Sequence, residues 1–260
     1  MPTYLYHEAW LIKTPQHLTL LGYQLTININ SSSSNFILSF TQASIMASTT
    51  PSTKLWYAPG ACSLAPHIIL KEAGANFELV KVAFDSIHSD EFKAINPKLR
   101  IPTLSVNNEI ITENPAVMMA ISNLVPEKHL FGKTPLDTVR VIEWANYISG
   151  TLHGQAFAGL WRPQRFTADP EDHHKLQAMG MTTIKESFRY IDNKLKGVHA
   201  VSDSFTIVDA YLLTMYRWGQ KIGLPMESDY PKLTALVVEA SKRPSTVAAM
   251  EAEGLPPIFN

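Results

Sequence analysis

Cysteine is nearly absent from this chain, Cys62 being the single one in 260 residues. One thiol excludes an intramolecular disulfide and a cysteine-built zinc site, so no metal is expected. It also fits a reducing, cytoplasmic setting. Charge is sparse at 17% of residues and almost balanced, with a formal net charge of -1. No global field therefore attracts nucleic acid or an anionic membrane, and neither is expected as a partner. Apolar runs stay well short of the roughly 20 residues that span a bilayer. What is present, 45% hydrophobic residues in a chain of this length, describes a soluble globular protein of one large or two small domains.

Residues 1–53 lack arginine altogether and carry one lysine, Lys13, and one acid, Glu8. They have neither the basic start and compact apolar core of a signal peptide nor the arginines of a mitochondrial presequence. Met46 opens MASTTPSTK, an ordinary protein start. Residues 1–53 are therefore expected to be a disordered or non-native extension, with 1–45 outside the functional protein.

From Lys54 the pattern becomes orderly. KLWYA reads as a strand, and Ala65 to Ala73 as a helix stopped by Gly74. FELVKVAF alternates as a second strand, and Asp90 to Ile95 makes a helical turn broken at Asn96-Pro97. IPTLSV and EIIT flank Asn107-Asn108, a hairpin turn, and Asn114 to Asn123 is a further helix ending near Pro126. The order β-α-β-α-β-β-α predicts a small α/β domain over 54–126. After a linker at 127–137, residues 138–260 read as all-helical, with helices at Thr138 to Gly150 and beyond, His173 to Lys196, Ile207 to Lys221 and Pro231 to Ala240. Thr206 and Asp209 have the spacing of a capping box.

Chemistry-bearing residues cluster along this frame. Cys62 follows the first strand and precedes the first helix, where unpaired amides and the helix dipole favour a thiolate. The run Cys62-Ser-Leu-Ala65 has no second cysteine, which leaves one-thiol chemistry or a small buried hydrophobe. Pro102 opens the third strand, so Ile101 is either a docking point for an extended ligand or part of an ordinary edge turn. Glu113 and Asn114 stand at a helix start, where free amides receive a carboxylate and Glu113 an amine, or where a capping turn simply faces solvent. Asn146 and His153 are two α-helical turns apart and share a face on that spacing. His153 is a proton carrier or thiolate donor, or a satisfied helical polar group. Phe157, Leu160 and Trp161 then form an apolar wall or plain core.

The segments YAPGACSLAPHI, NPKLRIPTL, ITENPA, EWANYISGTLH and FTIVDAYLLTMYRW, in this order, resemble the glutathione S-transferase superfamily, most closely its bacterial beta class. The resemblance covers about residues 54–256. It implies a thioredoxin-like N-terminal domain that binds glutathione and an all-α C-terminal domain that lines the electrophile pocket. It implies a cis-proline at Pro102, with Ile101 pairing with the cysteinyl backbone of glutathione. Glu113, Asn114 and Asn146 become glutathione-binding residues, Cys62 and His153 the catalytic ones, and Tyr57, Phe157, Leu160 and Trp161 the substrate pocket. Three places depart from the family pattern. Asn114 stands where Ser or Gly is usual, Ile87 where a glutathione-contacting lysine is expected, with His88 beside it to replace part of that role, and Leu99-Arg100 where Gly-Gln is common.

The implied function is conjugation of glutathione, as co-substrate, to a small apolar electrophile by a homodimer. Two alternatives share the fold. One is glutathione-dependent isomerisation, ether cleavage or thiol-disulfide exchange; the other is a non-catalytic ligand- or partner-binding protein.

Overall fold

The structure, a computed structural model, describes residues 17–20, 23–28, 37–42, 52–83 and 86–259. Residues 1–50 and 51–260 are separate compact units. In the first, β1 (His17–Leu20), β2 (Tyr23–Asn28) and β3 (Ile37–Gln42) form an antiparallel sheet in that order, with Leu25 opposite both Leu18 and Phe40. The expectation for 1–53 otherwise falls on residues outside those described.

The second unit begins with the anticipated α/β domain. Its sheet has the order β5-β4-β6-β7, built from β4 (Thr53–Tyr57), β5 (Glu78–Lys81), β6 (Thr103–Val106) and β7 (Glu109–Thr112). β4 pairs parallel with β5 and antiparallel with β6, which brings Leu55 beside Leu79 and Leu104. α1 (Leu64–Ala73) crosses between the parallel pair, and Gly74 ends it in the left-handed conformation at φ 67. α2 (Asp90–Ile95) is capped by Ser89, whose hydroxyl accepts from the Phe92 amide at 3.2 Å. The hairpin turn carries Asn107 and Asn108 at φ 52 and 69, the left-handed values that asparagine tolerates. α3 (Asn114–Ser122) completes the domain.

The helical part starts earlier than expected. α4 (Pro135–Tyr147) begins within the anticipated linker, because Thr134 and Asp137 form a capping box. The Asp137 amide donates to Thr134 Oγ1 at 3.1 Å, and the Thr134 amide donates to Asp137 Oδ2 at 3.0 Å. α4 runs on into a π-helical segment, Ile148–Phe157, then α5 (Ala158–Trp161) and α6 (His173–Lys194). α7 (Ile207–Lys221) opens on the predicted Thr206–Asp209 box, the Thr206 amide donating to Asp209 Oδ2 at 2.7 Å. α8 (Met226–Asp229), α9 (Pro231–Ser241) and α10 (Pro244–Ala252) follow. α10 was not anticipated, since its buried residues Ser245, Thr246, Ala249 and Met250 make no apolar stripe.

α7 is buried on nearly every face and packs directly on α1, so a single core joins the two domains. Leu64, Ile68, Ile69 and Leu70 of α1 are fully buried, each such side chain stabilising the fold by about 1.5–3 kcal/mol. A second tie lies at the far end of α1, where Arg243 Nε donates to Glu72 Oε2 at 3.1 Å and Ser245 Oγ to the same oxygen at 2.5 Å.

Candidate active site

The turn between β4 and α1 carries Cys62, and both halves of the unit hold it. Gly60 takes φ 67, a value glycine adopts without strain. Its amide donates to Glu253 Oε2 at 2.8 Å, and its carbonyl accepts from Trp218 Nε1 at 2.9 Å. The other oxygen of Glu253 lies 2.8 Å from Nδ1 of His67 on α1, with both side chains wholly buried. Ser63 is also internal: its hydroxyl donates to the Ala58 carbonyl and accepts from the Ala58 amide, each at 3.2 Å. It therefore braces the turn and does not offer its side chain to a ligand.

Cys62 precedes the helix cap and is itself only 7% exposed. Its Sγ donates to the Ile101 carbonyl at 3.4 Å. Burial pushes the thiol up to about 12, against the opposing pull of the Cys62 and Ser63 amides and of the Arg162 and Arg165 charges. The expected thiolate at Cys62 is thus corrected, because desolvation outweighs the helix start.

Opposite Cys62, the Ile101–Pro102 peptide is cis, as the resemblance implied. Buried Asn96 holds the loop, donating through Nδ2 to the Arg100 carbonyl at 2.7 Å and to Thr103 Oγ1 at 3.0 Å. Among the described residues the Ile101 amide has no protein acceptor. Glu113 takes φ 72, an uncommon backbone conformation of the kind that collects at ligand clamps. Its exposed carboxylate lies 2.5 Å from Lys98 Nζ. Buried Asn114 donates through Nδ2 to the Cys62 carbonyl at 2.9 Å, while its Oδ1 has no partner among the described residues.

His153 reaches the same place from the π-helical segment. Its pKa falls to about 4 through burial first and then through the Arg165, Arg162 and Arg100 charges, with Glu113 opposing them. The ring is therefore neutral near pH 7. The Tyr211 hydroxyl lies 3.3 Å from its Nδ1. With that hydroxyl donating, the proton of neutral His153 sits on Nε2. Burial holds the Tyr211 phenol above its ordinary pKa, which keeps the hydroxyl protonated.

Asn146 does not join this group. A π register closes i→i+5 bonds, so each turn takes more residues than in an α-helix. Seven residues then fall short of two turns, and Asn146 is exposed while His153 is half-buried. Gly154 permits this register, since a Cβ there would sit 2.7 Å from the Ser149 carbonyl oxygen. Tyr57 also departs from the pocket expected for it. It is 7% exposed, and its ring lies 6.0 Å from that of His67, on the core side of the turn.

Phe157 likewise departs from the pocket expected for it, being fully buried with its ring 5.0 Å from that of Trp161, whereas Trp161 is 40% exposed and Leu160 is half-buried against the core. Trp218, itself buried, packs its ring 5.2 Å from Phe157, 4.9 Å from Trp161 and 5.2 Å from His153. Sequence reasoning missed Trp218, Tyr211, Glu253 and the three arginines. WRPQRF, with two arginines and no acid beside the aromatic pair, was the available signal for Arg162 and Arg165.

Comparison with known proteins follows the same outline. Residues 51–121 match the family model described as glutathione S-transferase, N-terminal domain, and residues 154–244 match its C-terminal domain counterpart. Glutathione S-transferase GstA of Escherichia coli O157:H7 is 34% identical over 210 residues, spanning 78% of this chain and 99% of that protein. A bacterial beta class glutathione S-transferase from Sphingomonas chungbukensis superposes with a TM-score of 0.69 at 34% identity, over 78% of this chain and 100% of the other. A sphingomonad glutathione S-transferase complexed with glutathione gives 0.68 at 33% identity, over the same shares of 78% and 100%. With a thioredoxin-like sheet domain, a helical domain and a cis-proline facing Cys62, the chain belongs to the glutathione S-transferase family.

Proposed function

We propose that this protein conjugates glutathione to small electrophilic organic compounds. The observation that carries the reading is the cis Ile101–Pro102 loop held against Cys62 by the thiol's bond to the Ile101 carbonyl, with the Ile101 amide left without a protein acceptor among the described residues. Glutathione supplies the attacking sulfur. Ile101 pairs with its cysteinyl backbone, and the amides at the start of α3, the Glu113 carboxylate and Asn114 Oδ1 receive the γ-glutamyl end. A free thiol has a pKa of ~8.5 and is mostly protonated at pH 7, and each unit of lowering is worth about 1.4 kcal/mol. The Cys62 and Ser63 amides and a proton on His153 Nε2 supply that lowering for a sulfur at the site entrance. The exposed face of Trp161, backed by Trp218, orients the electrophile. Cys62, neutral and with its one proton given to the Ile101 carbonyl, lies beside the ligand sulfur and does not itself attack.

The same reading includes a homodimer resident in the cytoplasm. Leu136, Val139 and Ile142 repeat along one stripe of α4 and are 63%, 57% and 42% exposed, an apolar face that suits a second copy. Sedimentation of the purified chain measures that state. Among the described residues no helix is long and apolar enough to cross a membrane. Residues 54–260 suffice for activity in this reading, supported by the family model that matches from residue 51 and by a relative matched over 210 residues and 99% of its own length.

The deciding measurement is glutathione-dependent turnover of 1-chloro-2,4-dinitrobenzene by purified protein, together with retention on immobilised glutathione. Turnover and retention are expected. Absence of both overturns the proposal.

A further inference from the structure

His153 sits in the middle of a π-helical segment of 10 residues, Ile148–Phe157. A π register is rare and mostly limited to single turns, so one of this length needs support from outside. Its end is closed by the Ala158 amide, which donates to the His153 carbonyl five residues back. The register decides where the ring points. It leaves Asn146 exposed, and it sets His153 with Nδ1 3.3 Å from the Tyr211 hydroxyl and its ring 5.2 Å from that of Trp218.

Two glycines are fitted to this register. Inside the segment, a Cβ on Gly154 would sit 2.7 Å from the Ser149 carbonyl oxygen, five residues back. Outside it, Gly180 of α6 lies against the point where the π register returns to α. A Cβ there would sit 2.7 Å from the Ala156 carbonyl oxygen, 2.8 Å from the Leu160 amide nitrogen and 3.2 Å from the Gly159 carbonyl carbon. All of these are backbone atoms, which no side-chain rotation moves aside, and carbon–oxygen contacts take roughly 3.3–3.6 Å even when attractive. Gly159 answers from α5, its own Cβ position 3.7 Å from the Gly180 Cα. Gly150 is different: it belongs to the same segment, but a Cβ there would meet nothing within 4 Å. The close approaches are therefore local to Gly154 and to the end of the segment that Gly180 covers.

We propose that Gly154 and Gly180 are positioning residues: bare backbone at these two points holds the π register, and the register holds the His153 ring against Tyr211 and Trp218. The inference rests on the transferase reading above and concerns the same site. A methyl group at either position drives the segment out of its π register or away from α6. In an α register seven residues make about two turns, which would bring Asn146 and His153 to one face and take the ring from the Tyr211 hydroxyl. A close-packed interior transmits such a shift instead of absorbing it. The glutathione anchors Ile101 and Glu113 belong to the sheet domain, so binding of the tripeptide does not depend on the register.

The experiment compares Gly154→Ala and Gly180→Ala with Gly150→Ala, the same substitution made in open space. The His153 ring signals in the NMR spectrum, identified by their loss in His153→Gln, are expected to shift in the first two and to stay in place in the third. With 1-chloro-2,4-dinitrobenzene, kcat is expected to fall about tenfold or more in the first two, with KM for glutathione little changed. Tyr211→Phe added to either glycine variant is expected to cause no further loss, because the ring has already left the hydroxyl. Unmoved ring signals in both variants overturn the proposal. So does a full additional loss from Tyr211→Phe, which marks a merely structural defect, and so do equal shifts in Gly150→Ala. Gly154 is exposed, so Gly154→Ala decides alone where Gly180→Ala does not fold. Wild-type turnover with unmoved signals condemns the positioning role alone, whereas shifted signals in a protein without turnover support it and condemn the transferase reading.

Discussion

The indole N–H of Trp218 donates to the carbonyl of Gly60 at 2.9 Å, tying α7 to the turn that presents Cys62. Trp218→Phe preserves an aromatic surface but removes the donor. The unmet carbonyl is expected to cost about 1–2 kcal/mol in urea unfolding. An unchanged midpoint would show that the turn stands without this bond.

Glu253 holds the same turn from its other side and contacts His67 where neither side chain sees solvent. Glu253→Ala strands both partners and should destabilise the chain by roughly 3 kcal/mol. Glu253→Gln keeps an acceptor for Gly60 and should cost clearly less. Chemical denaturation of the pair of variants measures the difference; equal losses would contradict it.

His153 has its pKa depressed to about 4 in the folded chain. Unfolded, it returns to about 6.5. Between those values the unfolded state binds a proton that the native state does not, so stability falls as pH drops from about 6.5 to 4. His153→Gln should flatten that part of the stability curve. A curve identical in wild type and variant would show that the histidine titrates normally.

Tyr211 fixes the ring from behind. Tyr211→Phe removes the hydroxyl at Nδ1 and releases the Nε2–H tautomer. A fall in kcat of about five- to tenfold is expected, with KM for the electrophile little changed. A change confined to KM would place Tyr211 in substrate binding instead.

Cys62 is a neutral thiol, buried and held up at about 12. Iodoacetamide should therefore label the native chain slowly at pH 7 and the urea-unfolded chain at the ordinary cysteine rate. Rapid native labelling would mean that the sulfur is ionised.

What sequence alone made legible was set by neighbours along the chain. Gly74 ends α1, Asn107-Asn108 turns the hairpin and Thr206–Asp209 caps α7, each through bonds within a few residues. Thr134–Asp137 obeys the same rule, although it lay inside the stretch assigned as linker. The pairing of Asn146 with His153 failed because it assumed 3.6 residues per turn through a π-helical segment. Only Gly154 hinted at the change of register. The charge of Cys62 was misjudged for another reason: proximity to a helix start is visible in sequence, but burial under distant elements is not. Trp218 and Glu253 lie 158 and 193 residues from Gly60, and no periodicity links them.

The grip on Gly60 also bears on how such chains can be recombined. Its two side chains come from α7 and the end of α10, so a crossover in the 127–137 segment would separate the cysteine turn from its supports. A chimera that takes its sheet domain from one relative must inherit compatible residues at 218 and 253 from the other. The visible domain boundary is therefore a poor place to cut, and the heritable module is the turn together with the two helices that clasp it.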